Sequence, residues 1–216
     1  MNNKKICFVM CSNKEHYEKE CLRFISALEV PEGYTIEIRT VHGAESMAQG
    51  YNQAMYASDA KYKIYLHQDS FVVEPLFLKN LINVFSDQSV GMVGLVGSPA
   101  MPRDGVMWHS ERVGCNFECN IIYAKNCFYH TADKPYTPVE AIDGFMMATQ
   151  YDLPWRDDLF TGWDFYDVSQ SYEFRRAGYQ VVVPYMDRPW CLHDCGVMNL
   201  ENYDYWRTIF LKEYGE

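Results

Sequence analysis

Three short polar segments hold the side chains best suited to chemistry: His67-Gln68-Asp69, Asp143-Gly144, and Trp163-Asp164 with Asp167 three residues on. Asp69 closes an apolar run at residues 62–66. A carboxylate just past a buried strand suits a divalent cation that bridges two phosphates and offsets the charge building on a leaving diphosphate. The same position also fits a plain polar turn. Asp164 and Asp167 lie beside aromatics where a helix begins. Either can take the proton of an attacking hydroxyl, and either can serve as an ordinary cap. Trp163 offers a ring face to a sugar, or packs in the core. His193, within Cys191-Leu192-His193-Asp194-Cys195-Gly196, can ligate a metal from a late polar loop.

These groups need a scaffold, and the first hundred residues supply one. Residues 5–11 (KICFVMC) read as a buried strand. Ser12 and Glu15 have the spacing of a capping box, and Tyr17, Cys21, Phe24, Ile25 and Leu28 follow at helical spacing. A turn at Pro31-Glu32-Gly33 leads to an alternating strand at 34–41 and a helix at 46–57. A third strand at 62–66, a helix at 76–85 and a fourth strand at 92–96 continue the pattern. Such alternation predicts an α/β/α sandwich with a mainly parallel central sheet. Ligands then bind at the carboxyl ends of the strands. Here those ends are Cys11-Ser12-Asn13, His42-Gly43 and His67-Gln68-Asp69, and they should lie side by side. Residues 101–140 show no clean period, so irregular strands and long loops are expected. Strands around Asp143-Gly144, a helix at 166–177 ended by Gly178, a strand at 180–184 and a helix at 202–214 complete the chain.

The bulk numbers narrow the function. The 216 residues fit one domain over 1–216, and the 48% apolar content excludes a disordered chain. A formal net charge of −10 argues against nucleic acid as a partner. No apolar run approaches the roughly 18 residues that span a bilayer. The N-terminus does not read as a signal peptide, which makes a cytoplasmic protein the expectation. The C-terminal aromatics Tyr203, Trp206 and Phe210 are interleaved with acids, so peripheral contact with the inner membrane face should be weak at most. Eight cysteines in such a chain read as reduced thiols.

Taken in order, the opening strand with its Ser-Asn loop, HGAESMAQGYNQAMYASDAKYKIYLHQDS, AIDGFMMAT, DDLFTGWDFYDVSQSYEFRRAGYQVVVP and LHDCG resemble the glycosyltransferase-like branch of family 2, from about Lys5 to Gly196. The resemblance implies the GT-A fold, Rossmann-like, in a single domain. The donor-binding half would fall at about 1–100, the acceptor and catalytic half at about 101–200, and a C-terminal helix at about 201–216. It further implies inverting transfer of a sugar from a nucleoside-diphosphate sugar, most often a UDP-sugar, with Mn2+ or Mg2+. The acceptor would be a saccharide, lipid-linked or protein hydroxyl, in polysaccharide or glycoconjugate synthesis. Asp69 matches the last Asp of the DxD metal element, and His193 a late His that helps hold metal or diphosphate. Asp167 matches the base of the "ED" pair, with Asp164 in reserve. Asp143 and Gly144 match the acceptor-side loop. Ser12, Asn13 and Asn52 fall where the family contacts the nucleotide, and His42 where an Asp often meets the base. Three departures stand out: DxD reads His67-Gln68-Asp69, the Asp after the second strand aligns near His42, and "ED" reads Tyr166-Asp167.

Two rivals remain on the sequence. A nucleotidyltransferase uses a related sheet and a metal, but would carry a Gly-rich phosphate loop with a basic residue after the first strand. That loop is CSNKEHYEK, without glycine. A zinc-stabilised binding module would use Cys115, Cys119, Cys191 and Cys195, whose paired spacings fall within the range for structural zinc.

Overall fold

The computed structural model describes residues 1–197 and 199–215. Its first sheet has seven strands in the order β2-β1-β3-β11-β5-β12-β9. The three at one end of this order, with β2 at the edge, are β1 (Asn2–Ser12), β2 (Thr35–His42) and β3 (Ala60–His67), all parallel. Ser12 pairs with His42 and Cys11 with His67, so the three polar strand ends do lie side by side. β1 is buried from Ile6 to Ser12, as a central strand covered on both faces requires.

The sheet is mixed rather than mainly parallel. β11 (Met146–Thr149) inserts antiparallel between β3 and β5 (Val90–Gly94). β12 (Gln180–Pro184) runs parallel to β5, and β9 (Tyr136–Val139) closes the edge antiparallel to β12. The return of the chain through Asp143-Gly144 causes this: it brings β11 back beside β3 directly after that loop.

A second sheet has the order β10-β6-β7-β13-β4, with β8 paired to β7. Its strands are β4 (Ser70–Val72), β6 (Val96–Ser98), β7 (Val113–Asn120), β8 (Ala124–Phe128), β10 (Ala141–Ile142) and β13 (Cys191–Gly196). The aperiodic segment is therefore a hairpin plus an edge strand.

Five helices complete the described chain: α1 (Glu15–Ser26), α2 (Met47–Tyr56), α3 (Phe77–Val84), α4 (Tyr166–Arg176) and α5 (Tyr203–Tyr214). α2 starts as the sequence suggests, with Ser46 Oγ accepting from Gln49 N at 3.1 Å. α1 does not use the expected capping box. Ser12 belongs to β1, and α1 begins after Lys14 without a side-chain cap.

Most buried apolar side chains form one core between the sheets and helices. A second cluster of Met107, Phe160, Phe165, Val168, Trp206 and Phe210 seats α5 against α4. Arg176 reinforces that seat at 2.9 Å from Glu213, and the Tyr214 hydroxyl donates to Glu173 at 2.7 Å. No helix among the described residues is long and apolar enough to cross a membrane.

Candidate active site

Two cavities meet over the strand ends. The first, about 660 Å³, is lined by Ser12, Asn13, Gly43, Gln68 and Asp69 at the sheet edge and by Asn202 and Trp206 from α5 and its approach. The second, about 490 Å³, is lined by Asp143, Gly144, Tyr166, Asp167, His193 and residues of the β7–β8 hairpin. His67, Trp163, Asp164 and Asn199 line both, so they form one two-chambered cleft.

Gln68 organises the floor of the first chamber. Its Oε1 accepts from Asn13 N at 3.1 Å, Lys14 N at 2.9 Å and Ser12 Oγ at 3.3 Å, while its Nε2 donates to Asn13 Oδ1 at 2.8 Å. One amide thereby holds the loop after β1 against the end of β3. A glycine closes the far wall. A Cβ on Gly162 would strike the Trp206 ring, and Gly162 O accepts from Met47 N at 3.0 Å, which ties the loop to both α5 and α2.

At the junction stand His67, Asp69 and His193, with one ligand atom from each lying within 4.8 Å of the others. His193 Nε2 is 3.6 Å and His67 Nδ1 3.9 Å from Asp69 Oδ1. Both separations are too long for direct hydrogen bonds. Asp69 Oδ1 is buried and has no hydrogen-bond partner among the described residues. A buried carboxylate oxygen left without a partner is costly. Two imidazoles and a carboxylate around such an atom fit a divalent transition metal, imidazole favouring softer ions and carboxylate the harder ones. Packing holds the set in place: His193 stacks on Phe145 with centroids 5.3 Å apart, and Asp194 N donates to Asp69 O at 2.9 Å.

Electrostatics pull the group in opposite directions. Burial opposes charge on Asp69, yet the two histidines prevail and hold its carboxyl below the usual range. Burial also opposes charge on His193, but Asp69 keeps that imidazole above its usual value. Burial, then the charge of His193, drives His67 the other way, below the usual imidazole range.

Asp167 lies in the second chamber, one residue into α4. Burial, then the nearby Asp143 carboxylate, pushes it up to about 7 against backbone N–H groups that hold it down. The helix enters in a strained way. Phe165 has φ 60°, a left-handed conformation that costs a non-glycine residue on the order of 1 kcal/mol. Its burial in the second cluster, 4.8 Å from Tyr203 and 5.4 Å from Phe210 between ring centroids, offsets that cost. Asp164 is raised as well, by burial. Trp163 is 50% exposed, so its ring faces the cleft rather than the core.

Most of the residues singled out by sequence thus meet in the cleft: Ser12, Asn13, His67, Gln68, Asp69, Asp143, Gly144, Trp163, Asp164, Asp167 and His193. Two do not. Asn52 is buried away from the cavity; its Nδ2 donates to Trp155 O at 2.8 Å and its Oδ1 accepts from Trp155 N at 2.9 Å, so it is a backbone clamp and not a donor contact. His42 points to solvent and pairs with Glu18 at 2.8 Å, while its neighbours Val41 and Gly43 line the wall. The four-cysteine zinc site does not form. Among the described residues the only His/Cys/Asp/Glu cluster is His67, Asp69 and His193, and Cys195 Sγ donates instead to Cys119 O at 3.3 Å. Sequence reasoning missed Asn199 and Asn202 in the first chamber and Arg112, Glu118 and Lys125 in the second. Those in the hairpin region come from a stretch with no period to flag them.

An edge-on cleft over parallel strand ends, with a His/Asp cluster at its centre, defines a GT-A-type fold, and solved structures agree. The chain is similar to a mannosyltransferase from Pyrobaculum calidifontis in complex with GDP-Man and Mn2+, with a TM-score of 0.58, 14% identity, and coverage of 97% of this chain and 61% of that one. It is also similar to S. aureus TarS 1-349 in complex with UDP, at 0.57, 10%, 97% and 65%, and with UDP-GlcNAc, at 0.53, 10%, 91% and 59%. The chain therefore spans less than two thirds of the length of those proteins. A search of curated proteins finds no match. The family model described as "Glycosyltransferase like family" matches residues 7–214, and the chain belongs to that family.

Proposed function

We propose that the protein is a metal-dependent inverting glycosyltransferase that moves a sugar from a nucleoside-diphosphate sugar to an acceptor hydroxyl. The observation that carries this reading is the arrangement of the cleft. Its two chambers share the wall at His67 and Asp164, with the partnerless Asp69 oxygen at the junction and a carboxyl of pKa about 7 beyond it.

The nucleotide lies in the first chamber against Ser12, Asn13 and Gln68, with its diphosphate toward Asp69. Among the described residues no Lys or Arg lines that chamber, so a Mn2+ or Mg2+ held by His67, Asp69 and His193 would supply the positive charge that stabilises the leaving diphosphate. The solved neighbours crystallised with GDP-Man and Mn2+, UDP, or UDP-GlcNAc support this class of donor.

Trp163 and Asp164, on the shared wall, flank the sugar. The acceptor occupies the second chamber, where Asp143 and the backbone at Gly144 orient its hydroxyls. Asp167 takes the hydroxyl proton as the oxygen bonds to the anomeric carbon. The carbon–oxygen bond to the diphosphate breaks, and its electron pair leaves with the nucleoside diphosphate. A base with a pKa near the working pH is well matched to this task.

The test compares Asp167→Asn with Asp164→Asn. Asp167→Asn should keep nucleoside-diphosphate affinity and lose transfer by about two to four orders of magnitude, while Asp164→Asn loses less. The reverse ranking would move the base to Asp164. Normal transfer by both variants would remove Asp164 and Asp167 as the base and put the inverting mechanism in question.

A further inference from the structure

His67 and Tyr166 mark two of the places where this chain departs from the family pattern, the first residue of the DxD element and the first of the "ED" pair. In the fold they touch, because His67 Nε2 and the Tyr166 hydroxyl are hydrogen-bonded. The other ring nitrogen, Nδ1, is the one that faces Asp69.

A neutral imidazole carries one N–H and one lone pair. When Nε2 holds the hydrogen and donates it to Tyr166, the Nδ1 lone pair points to the place shared with Asp69 and His193. The opposite tautomer would put an N–H there and close the position to a cation. A tyrosine hydroxyl accepts or donates and so pairs with either form; the ring's orientation, with Nδ1 toward Asp69, is what is held by Tyr166. It is buried, and its ring packs edge-on against Tyr51 at 5.9 Å and tilted against Trp155 at 6.3 Å, so the hydroxyl cannot swing away. Gly144 leaves room for it, since a Cβ there would collide with the Tyr166 hydroxyl and crowd the Asp167 side chain. Tyr166 is also the first residue of α4, directly before Asp167.

We propose that Tyr166 is a positioning residue: its hydroxyl accepts the Nε2 hydrogen of His67 and holds the ring with Nδ1 toward Asp69 as a cation ligand, and its place in α4 ties that site to the carboxylate of Asp167. The cation role of His67 rests on the function proposed above. Groups that orient a ligating histidine typically change metal affinity by about 10–100-fold when removed.

Two measurements test this. The first is the nitrogen NMR spectrum of the His67 ring in the wild-type protein without metal at pH 7.5, with His67→Gln for assignment. Hydrogen on Nε2 is expected, and hydrogen on Nδ1 overturns the proposal without involving any variant of Tyr166. The second is Mn2+ binding to the wild type, Tyr166→Phe, His67→Ala and the double variant, with thermal unfolding followed for each. Tyr166→Phe should weaken Mn2+ binding about 10–100-fold, and it should add nothing in the His67→Ala background, since it acts through that ring. Unchanged binding in Tyr166→Phe, or an equal loss in both backgrounds, overturns the proposal. A wild type that binds no Mn2+ contradicts the metal-dependent reading instead, and the tautomer measurement still decides the role of Tyr166.

Discussion

Asp167 should destabilise the fold that carries it, and replacing it with Asn should reveal by how much. An aspartate in an unfolded chain titrates near 3.9, and Asp167 in the fold titrates at about 7 because burial and Asp143 disfavour its charge. Below about pH 4 both states hold the proton and the residue is neutral in its effect. Between about 4 and 7 the folded protein keeps a proton that the unfolded chain releases, so stability falls as pH rises, and it levels off above 7. Fully expressed, such a difference amounts to about 4 kcal/mol. The side chain is partly open to the cavity, and water at that edge screens part of the cost, so about 2 kcal/mol is expected. Asp167→Asn should therefore be more stable than wild type by about 2 kcal/mol at pH 8.5, with the gain shrinking steadily to nothing near pH 4. Urea unfolding of both proteins at pH 4.5, 6, 7 and 8.5 measures this directly, because the difference between them cancels the titrating groups that do not interact with Asp167. A gain that does not vary with pH, or a loss of stability at pH 8.5, would show that the carboxyl is not held in its neutral form by the fold.

The same titration should appear in catalysis with the opposite consequence: kcat/KM should rise with pH through about 7, since only the charged carboxylate accepts a proton, and a rate flat from pH 5.5 to 8.5 would exclude Asp167 as the base. Asn52→Ala should lower stability by about 1–3 kcal/mol in denaturant titrations, because it strands the Trp155 N–H and removes one of the two donors to Trp155 O, which keeps Asp157 N. The affinity of Asn52→Ala for nucleoside diphosphate should match wild type; a selective loss of nucleotide binding would restore the donor-contact role.

Much of the fold was legible because the first hundred residues encode it locally. Each of β1, β2 and β3 announces itself by composition, and the parallel alternation brings Ser12, His42 and His67 to one edge. That edge logic is also why Asp69 could be read as a site residue. What remained hidden depends on distant pairings. β11 is a four-residue run, Met146–Thr149, buried on both faces, so it shows no alternation from which to read its direction. The second sheet joins residue 70 to residue 193 and residue 117 to residue 192, contacts that no local period reports. Asn52 illustrates the other limit. An Asn in the helix that follows a strand looks alike whether it faces a nucleotide or a buried backbone, and only packing against Trp155 separates the two. His67 looked like a weakened metal element on the sequence, yet three-dimensional placement gives Asp69 two imidazole neighbours in place of one.

The most direct test of the proposed activity is release of nucleoside diphosphate from a panel of UDP- and GDP-sugars, with Mn2+ and without acceptor, by wild type and Asp69→Ala. At least one donor should be turned over by wild type. EDTA should stop that turnover, and Asp69→Ala, folded by circular dichroism, should lack it. Turnover that persists undiminished in EDTA or in Asp69→Ala would contradict a cation-assisted transfer centred on His67, Asp69 and His193.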